Sequence, residues 1–266
     1  MAGLFQVLWG KADGSFKKAA VLEGTDGEPL VIPISGEDQQ TENICTRPTA
    51  IDWDGDGDLD IVTGNFAGTF YLFTGDGNGK FQPKPEIVPG EGGPLRIVGA
   101  HSDPFVVDWD GDGDFDLLSG SSSGGVQWAE NQAGPGKPPV WRSFVSLIAA
   151  PAAPAYGQPV DEKDLQGPAG STRVWSSDVD GDGKLDILAG DSVTLVSPIP
   201  GLEEKEFAKK FEAWNKAVQK ASEELNSSSD PETREAAMEK VNTLYKQRSE
   251  FMKEDRTGFV WLYRQK

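Results

Sequence analysis

Nine residues written three times constrain this chain more than anything else in it. They run Asp52-Trp53-Asp54-Gly55-Asp56-Gly57-Asp58-Leu59-Asp60, then Asp108-Trp109-Asp110-Gly111-Asp112-Gly113-Asp114-Phe115-Asp116, then Asp178-Val179-Asp180-Gly181-Asp182-Gly183-Lys184-Leu185-Asp186. Each copy is followed by two aliphatic residues and, one residue later, a glycine: Gly64, Gly120 and Gly190. Position 6 is glycine every time, where the loop must turn sharply and a Cβ would interfere.

Carboxylates at positions 1, 3, 5 and 9 would repel one another if they converged with nothing between them. Hard oxygen ligands at alternate positions suit Ca²⁺, which takes six to eight of them in loose geometry; Mg²⁺ demands strict octahedral geometry and keeps its waters. Position 7 is Asp58, Asp114 and then Lys184. A lysine side chain cannot ligate calcium, so that position is expected to offer its backbone carbonyl. An EF-hand would need a bidentate Glu at position 12 and flanking helices. Position 12 here is Thr63, Ser119 and Ala189, and the flanks read as strands. Plain Asp-Gly hairpin turns explain one copy but not the same ligand positions three times. About three bound Ca²⁺ are expected.

The formal net charge is −18, and 14 of the 43 acidic residues lie in the three loops. Three calcium ions leave an acidic surface, which argues against nucleic acid or an anionic membrane as partner. No apolar run reaches membrane-spanning length. Met1-Ala2-Gly3-Leu4 does not read as a signal peptide; an exported protein would have lost its leader. The single cysteine, Cys45, excludes an intrachain disulfide and is expected to be a small buried hydrophobe.

The 32 glycines and 18 prolines point to a turn-rich β fold. Residues 3–23 read as a hairpin turning at Asp13-Gly14, and its Gly14-Ser15-Phe16 aligns with Gly79-Lys80-Phe81. The chain thus opens with the second half of a repeat. Residues 24–44 read as a long loop with a short strand at Leu30-Val31-Ile32. The full unit has four strands: 49–51, 59–63, 69–73 and about 81–88. A second follows at 105–107, 115–119, 126–128 and 141–148. After an irregular connector over 149–171, a third enters at 173–175 and leaves at 185–189, and 193–196 could add a strand. Four strands per period of more than 50 residues favour a β-propeller over a sandwich or a solenoid.

From Glu203 to Leu225 the apolar residues Phe207, Phe211, Trp214, Val218, Ala221 and Leu225 fall at helical steps. Asn226–Asp230 is the break. Ser229 with Glu232 makes a capping-box pattern, with Pro231 in the first turn. A second helix is expected to about Glu254, with Met238, Val241, Tyr245 and Met252 on one side. The chain then resumes as a strand, 258–263, which resembles 68–73.

The acidic loop between two strands, followed by a glycine and a glycine-led aromatic strand, resembles the FG-GAP/VCBS repeat family. That family supplies the blades of integrin α-subunit propellers and of many bacterial secreted proteins. The resemblance covers residues 46–148 and 172–196 and the terminal pieces 3–23 and 257–265. It implies calcium held by Asp52, Asp54, Asp56, the Asp58 carbonyl and Asp60; by Asp108, Asp110, Asp112, the Asp114 carbonyl and Asp116; and by Asp178, Asp180, Asp182, the Lys184 carbonyl and Asp186. In the family the ions are structural. Family propellers typically have about seven blades, whereas this chain offers three units and a leading half. The expected fold class is all-β: one propeller domain over 1–266 with about four blades, or a partial ring, and an α-helical hairpin inserted at 201–256.

Catalytic chemistry has no anchor in the sequence. His101, the lone histidine, reads as a loop residue, and no phosphate loop, nucleophile elbow or zinc spacing appears. Glu86, Glu91, Glu130 and Asp161 could supply a glycosidase carboxylate pair, yet no spacing selects them. Trp53, Trp109 and Trp175 are expected in the core, while Trp128 and Trp141 could stack on a sugar or peptide. Asn226-Ser227-Ser228 fits a glycosylation sequon and equally a helix-hairpin turn. The function expected is a calcium-stabilised, non-enzymatic binding or scaffold module, extracellular or periplasmic, for a protein or carbohydrate ligand. The alternative is a propeller-fold polysaccharide lyase or glycoside hydrolase.

Overall fold

The computed structural model describes residues 3–33, 42–152 and 159–266. Within them the chain is mostly β, with six open antiparallel sheets and two α-helices. The N-terminal hairpin pairs β1 (Gln6–Val7) with β2 (Ala20–Val21), with bridges closing toward Gly10 and Phe16. The first repeat sheet is a meander of β3 (Arg47–Ile51), β4 (Asp60–Gly64), β5 (Phe70–Phe73) and β6 (Glu86–Ile87). A two-residue ribbon follows, β7 (Pro89–Gly90) with β8 (Gly93–Pro94). The second sheet repeats the meander with β9 (Asp103–Val107), β10 (Asp116–Gly120), β11 (Val126–Ala129) and β12 (Val145–Ile148).

The third sheet begins in the same way with β13 (Arg173–Ser177) and β14 (Asp186–Gly190). Its third strand arrives from far along the chain. β15 (Val193–Pro198), which the sequence offered as a further strand of this unit, pairs instead with β16 (Met252–Thr257). The third place is taken by β17 (Val260–Tyr263), where Ile187 faces Tyr263 as Ile61 faces Phe73. The expected likeness of 258–263 to 68–73 is therefore a register equivalence.

The second strands explain how the sheets stack. β4 and β10 are buried along their whole length, because alternate side chains serve opposite faces. Ile61 joins Phe5, Leu22, Leu30, Ile32, Phe73 and Phe81 beneath the N-terminal hairpin. Val62 and Phe70 point the other way, into a cluster shared with Val106, Leu117 and Trp141 of the second sheet. Val126 then packs with Ile187, Ala189, Trp261 and Tyr263 of the third. Fully burying each such side chain is worth roughly 1.5–3 kcal/mol.

Adjacent repeats are also pinned by a hydroxyl. Ser102, just before β9, accepts the Asn65 N–H at 2.9 Å and donates to the Thr69 carbonyl at 2.7 Å. Thr172, just before β13, does the same for the Ser121 N–H at 2.8 Å and the Gly125 carbonyl at 2.9 Å. The residue preceding each hydroxyl has a left-handed backbone, and so does its counterpart before β3: Cys45 (φ 55°), His101 (φ 61°) and Ser171 (φ 48°) are the described non-glycine residues with positive φ. The crossing brings backbone onto the motif's closing glycine. A Cβ on Gly64 would lie 2.6 Å from the Ser102 carbonyl carbon, and one on Gly120 would lie 2.6 Å from that of Thr172. Around Gly190 there is nothing within 4 Å.

That open position marks the far face of the third sheet. Trp175 is 61% and Val260 72% exposed, so the expectation that Trp175 is core fails: among the described residues no further sheet covers it. Trp53 and Trp109 are half-buried against the clusters on either side of the second sheet. Cys45, expected to be buried, is exposed in its left-handed turn. Residues 30–32 form no ladder strand, although Leu30 and Ile32 are core; the rest of the 24–44 loop and of the 149–171 connector falls partly on residues outside the described ones.

A second compact unit comprises residues 152–166 and 193–258. It holds the β15–β16 ribbon, α1 (Glu204–Ser227) and α2 (Pro231–Gln247), with a 3₁₀ turn at Arg248–Glu250. Phe207, Phe211, Phe251 and Met252 form its core, and the Trp214 indole donates to the Leu244 carbonyl at 2.8 Å. Helix α1 runs through Asn226, so the sequon's asparagine is helical rather than in the turn. Asp230, not Ser229, caps α2, accepting the Thr233 N–H at 2.9 Å. Met252 opens a strand instead of lying on the helix, because the helix stops at Gln247.

Candidate metal centres

Each acidic nonapeptide joins the first two strands of a repeat sheet. In all three copies position 1 follows the first strand directly, after β3, β9 and β13, and position 9 is the first residue of the second strand: Asp60, Asp116 and Asp186. The loop is wired the same way three times. The position-1 carboxylate accepts the N–H groups of positions 4 and 6: Asp52 from Gly55 (2.9 Å) and Gly57 (3.1 Å), Asp108 from Gly111 (2.8 Å) and Gly113 (3.1 Å), Asp178 from Gly181 (2.7 Å) and Gly183 (3.0 Å). Those bonds hold position 6 at positive φ, 94°, 93° and 87°, which glycine alone adopts without strain. Position 5 accepts the position-7 N–H in every copy: Asp56 from Asp58, Asp112 from Asp114, Asp182 from Lys184.

Position 9 also has a structural part. Asp60, Asp116 and Asp186 are at most 2% exposed. One oxygen of each accepts the position-2 N–H, from Trp53, Trp109 and Val179. The other accepts an N–H just beyond the third strand, from Gly75, Asn131 and Gln265. The aspartate thus ties the loop to the sheet it opens. Burial pushes the Asp116 carboxyl up to about 6, against the opposing bonds from Asn131 and Trp109, and Asp60 is raised for the same reason.

Three carboxylate oxygens come within 4.8 Å of one another in each loop: Asp52, Asp54 and Asp60; Asp108, Asp110 and Asp112; Asp178, Asp180 and Asp186. Ca–O bonds of about 2.3–2.6 Å allow ligands on opposite sides of one ion to sit roughly 4.6–5.2 Å apart. The donor sets fit calcium in spacing and in hardness. Position 7 has a second role that its sequence variation concealed. The Asp114 side chain leaves the loop and accepts the Gly134 N–H at 2.7 Å, and a Cβ on Gly77 would meet the Asp58 carboxyl carbon at 2.7 Å. Aspartate there clasps the outer hairpin of its own sheet. Lys184 has no aspartate to offer, and in this copy Arg264 Nε lies 3.5 Å from Asp180.

The other sequence candidates do not gather. Glu130 is paired with Arg142 at 2.8 Å, and Asp161 caps its own 3₁₀ turn and pairs with Lys163 at 3.0 Å. His101 lies tilted against Phe66, ring centroids 4.4 Å apart. Trp141 is buried, tilted over Trp53 at 5.6 Å. Glu86, Trp53 and Trp141 line a cleft of about 580 Å³ with Leu72, Ile87 and Phe115, and Asp52 and Asp54 also line it.

Repeated antiparallel sheets, each opened by the same acidic turn, define a repeat protein with clustered acidic loops. Residues 52–119, about a quarter of the chain, match the family model described as FG-GAP-like repeat. The resemblance read from the acidic loops is thus supported across the first two copies. No curated protein and no solved structure gives a significant match.

Proposed function

We propose that this chain is a calcium-stabilised binding module of β-propeller type that works outside the cytoplasm, without enzymatic activity of its own. The observation that carries the reading is the threefold wiring of the acidic loops, each gathering three carboxylate oxygens within 4.8 Å. Calcium would be held by Asp52, Asp54, Asp56, Asp60 and the Asp58 carbonyl in the first loop. Asp108, Asp110, Asp112, Asp116 and the Asp114 carbonyl would serve the second, and Asp178, Asp180, Asp182, Asp186 and the Lys184 carbonyl the third. The ion neutralises each cluster and locks the turn between two strands. Extracellular calcium modules bind with Kd of about 10⁻⁴–10⁻³ M, and loops of that affinity suit calcium-rich compartments. The sheet stacking order and the inter-repeat hydroxyl pins support consecutive blades. The aromatic cleft beside the first loop favours a protein or carbohydrate as ligand.

The test is calcium titration of chelator-stripped protein by calorimetry, alongside thermal unfolding. Three sites are expected. An ion at about 100 times its Kd contributes roughly 2.7 kcal/mol per site, so stripping should lower Tm by roughly 5–10 °C per site. A protein that takes up no calcium and melts at the same temperature in chelator would overturn the reading.

A further inference from the structure

Three of the repeat's first strands begin with a charged residue at the same register position. Arg47 faces Gly64, Asp103 faces Gly120 and Arg173 faces Gly190. The three side chains meet: Arg47 lies 3.8 Å and Arg173 3.5 Å from the two oxygens of Asp103. Both separations are long beside the roughly 2.7–2.9 Å of a charge-assisted hydrogen bond. Among the described residues neither guanidinium has a second carboxylate within 4 Å, so two positive charges share one negative charge in a chain of net charge −18. Arg47 and Asp103 each keep only 13% of their side-chain surface, and Arg47 NH1 is buried with no hydrogen-bond partner. Burial lowers the pKa of Arg47 and raises that of Asp103 even though they are neighbours. The pair therefore does not offset what burial costs it.

An aromatic pair lies beside this cluster. Phe105 and Trp175 follow Asp103 and Arg173 by two residues on the same strands, so they share a face about 6.6 Å further along. Their rings are 5.0 Å apart, and Trp175 is largely exposed. Trp and Arg together on an exposed face are the residue types that dominate binding energy.

We propose that Arg47, Arg173 and Trp175 form a binding site for a ligand that carries a carboxylate about 6–7 Å from an apolar group. The carboxylate takes the unmet share of the Arg173 guanidinium, whose side chain is 64% exposed, while the buried Arg47 adds its positive charge close by. The apolar group lies on Trp175 and Phe105. None of these residues belongs to an acidic loop, so the site does not depend on the calcium reading.

The test is calorimetric titration of the full chain, with calcium and again in chelator, using 3-phenylpropionate as probe. Its neutral isostere 3-phenylpropanamide and inorganic phosphate are the controls. One site with Kd of about a millimolar is expected for the carboxylate, as befits so small a ligand, and binding at least tenfold weaker for the amide. Arg173→Gln, an exposed position where folding is not at stake, should weaken the carboxylate at least tenfold. Trp175→Ala should weaken it several-fold while leaving phosphate unaffected. Absence of carboxylate binding, equal binding of the amide, or an Arg173→Gln affinity within twofold of the parent would each overturn the proposal. So would phosphate binding as tightly as the carboxylate.

Discussion

Gly120→Ala and Gly190→Ala change the same residue at the same motif position, yet they should behave in opposite ways. At Gly120 the new methyl would sit 2.6 Å from the Thr172 carbonyl carbon and closer still to its oxygen. Carbon–carbon contacts prefer about 3.5–4.0 Å, so the third sheet must retreat by about 1 Å. That retreat stretches the Thr172 N–H bond to the Ser121 carbonyl (2.9 Å) and the Ser121 N–H bond to the Thr172 hydroxyl (2.8 Å). Two buried hydrogen bonds at about 1 kcal/mol each, with an overpacking cost of about 1–3 kcal/mol, give a loss of roughly 3–5 kcal/mol. At 2–4 °C per kcal/mol, Tm should fall by roughly 6–20 °C. Gly190 has open space, and alanine there should be neutral or stabilising by up to about 1 kcal/mol, since glycine in a strand has more backbone entropy to lose. Calcium-saturated thermal unfolding of both variants is the assay. Equal melting temperatures would refute the stacking of consecutive repeats on the closing glycine.

Two further predictions concern the loops. Asp116, facing Asp110, the Trp109 and Asn131 N–H groups and Trp128, has its carboxyl raised by burial to about 6. A raised folded-state value means that ionisation opposes folding. In chelator, this group's contribution to stability is therefore fully present below about pH 4, where the unfolded carboxyl is also protonated. It should be lost, by up to about 3 kcal/mol relative to Asp116→Asn, as pH rises from there through 6. Calcium needs the ionised form, so affinity at the second loop should drop about tenfold between pH 7.5 and 5, and a flat calorimetric profile would contradict this. The third loop should bind calcium most weakly, because Arg264 and Lys184 place positive charge beside it. Arg264→Ala should tighten that site several-fold, read as the lowest-affinity step of the titration; no change would show that Arg264 is electrostatically silent.

The loops were legible because their chemistry is local. Side chains that hydrogen-bond backbone two to five residues away leave their spacing in the sequence, and Asp52, Asp108 and Asp178 do so. The strands around them were legible by the repeat itself. What stayed hidden involves residues far apart in sequence. Ser102 and Thr172 look like ordinary loop hydroxyls until they are seen to pin residues 37 and 51 positions away. Trp175 reads as core because it lies in the entering strand, yet among the described residues no further sheet covers that face. The left-handed turn shared by Cys45, His101 and Ser171 follows no residue preference. The one available signal was position, two residues ahead of each first strand. Helix α2 was overrun because Met252 continued an apolar spacing that the 3₁₀ turn at Arg248–Glu250 interrupts.

The late arrival of β17 sets a timetable for the molecule. Asp191 and Phe259, 68 residues apart, clasp each other through the Phe259 N–H on the Asp191 carboxylate at 2.8 Å and the Asp191 N–H on the Phe259 carbonyl at 3.0 Å. During synthesis the first two sheets are complete long before the last strand emerges. The third must wait with two strands in hand while the helices are made. Closing a disordered span of that length costs about 2–3 kcal/mol more entropy than closing a short turn. A hairpin that folds first shortens the span and removes most of that cost. The inserted helices thereby govern when the apolar edge of the third sheet stops being a hazard for aggregation.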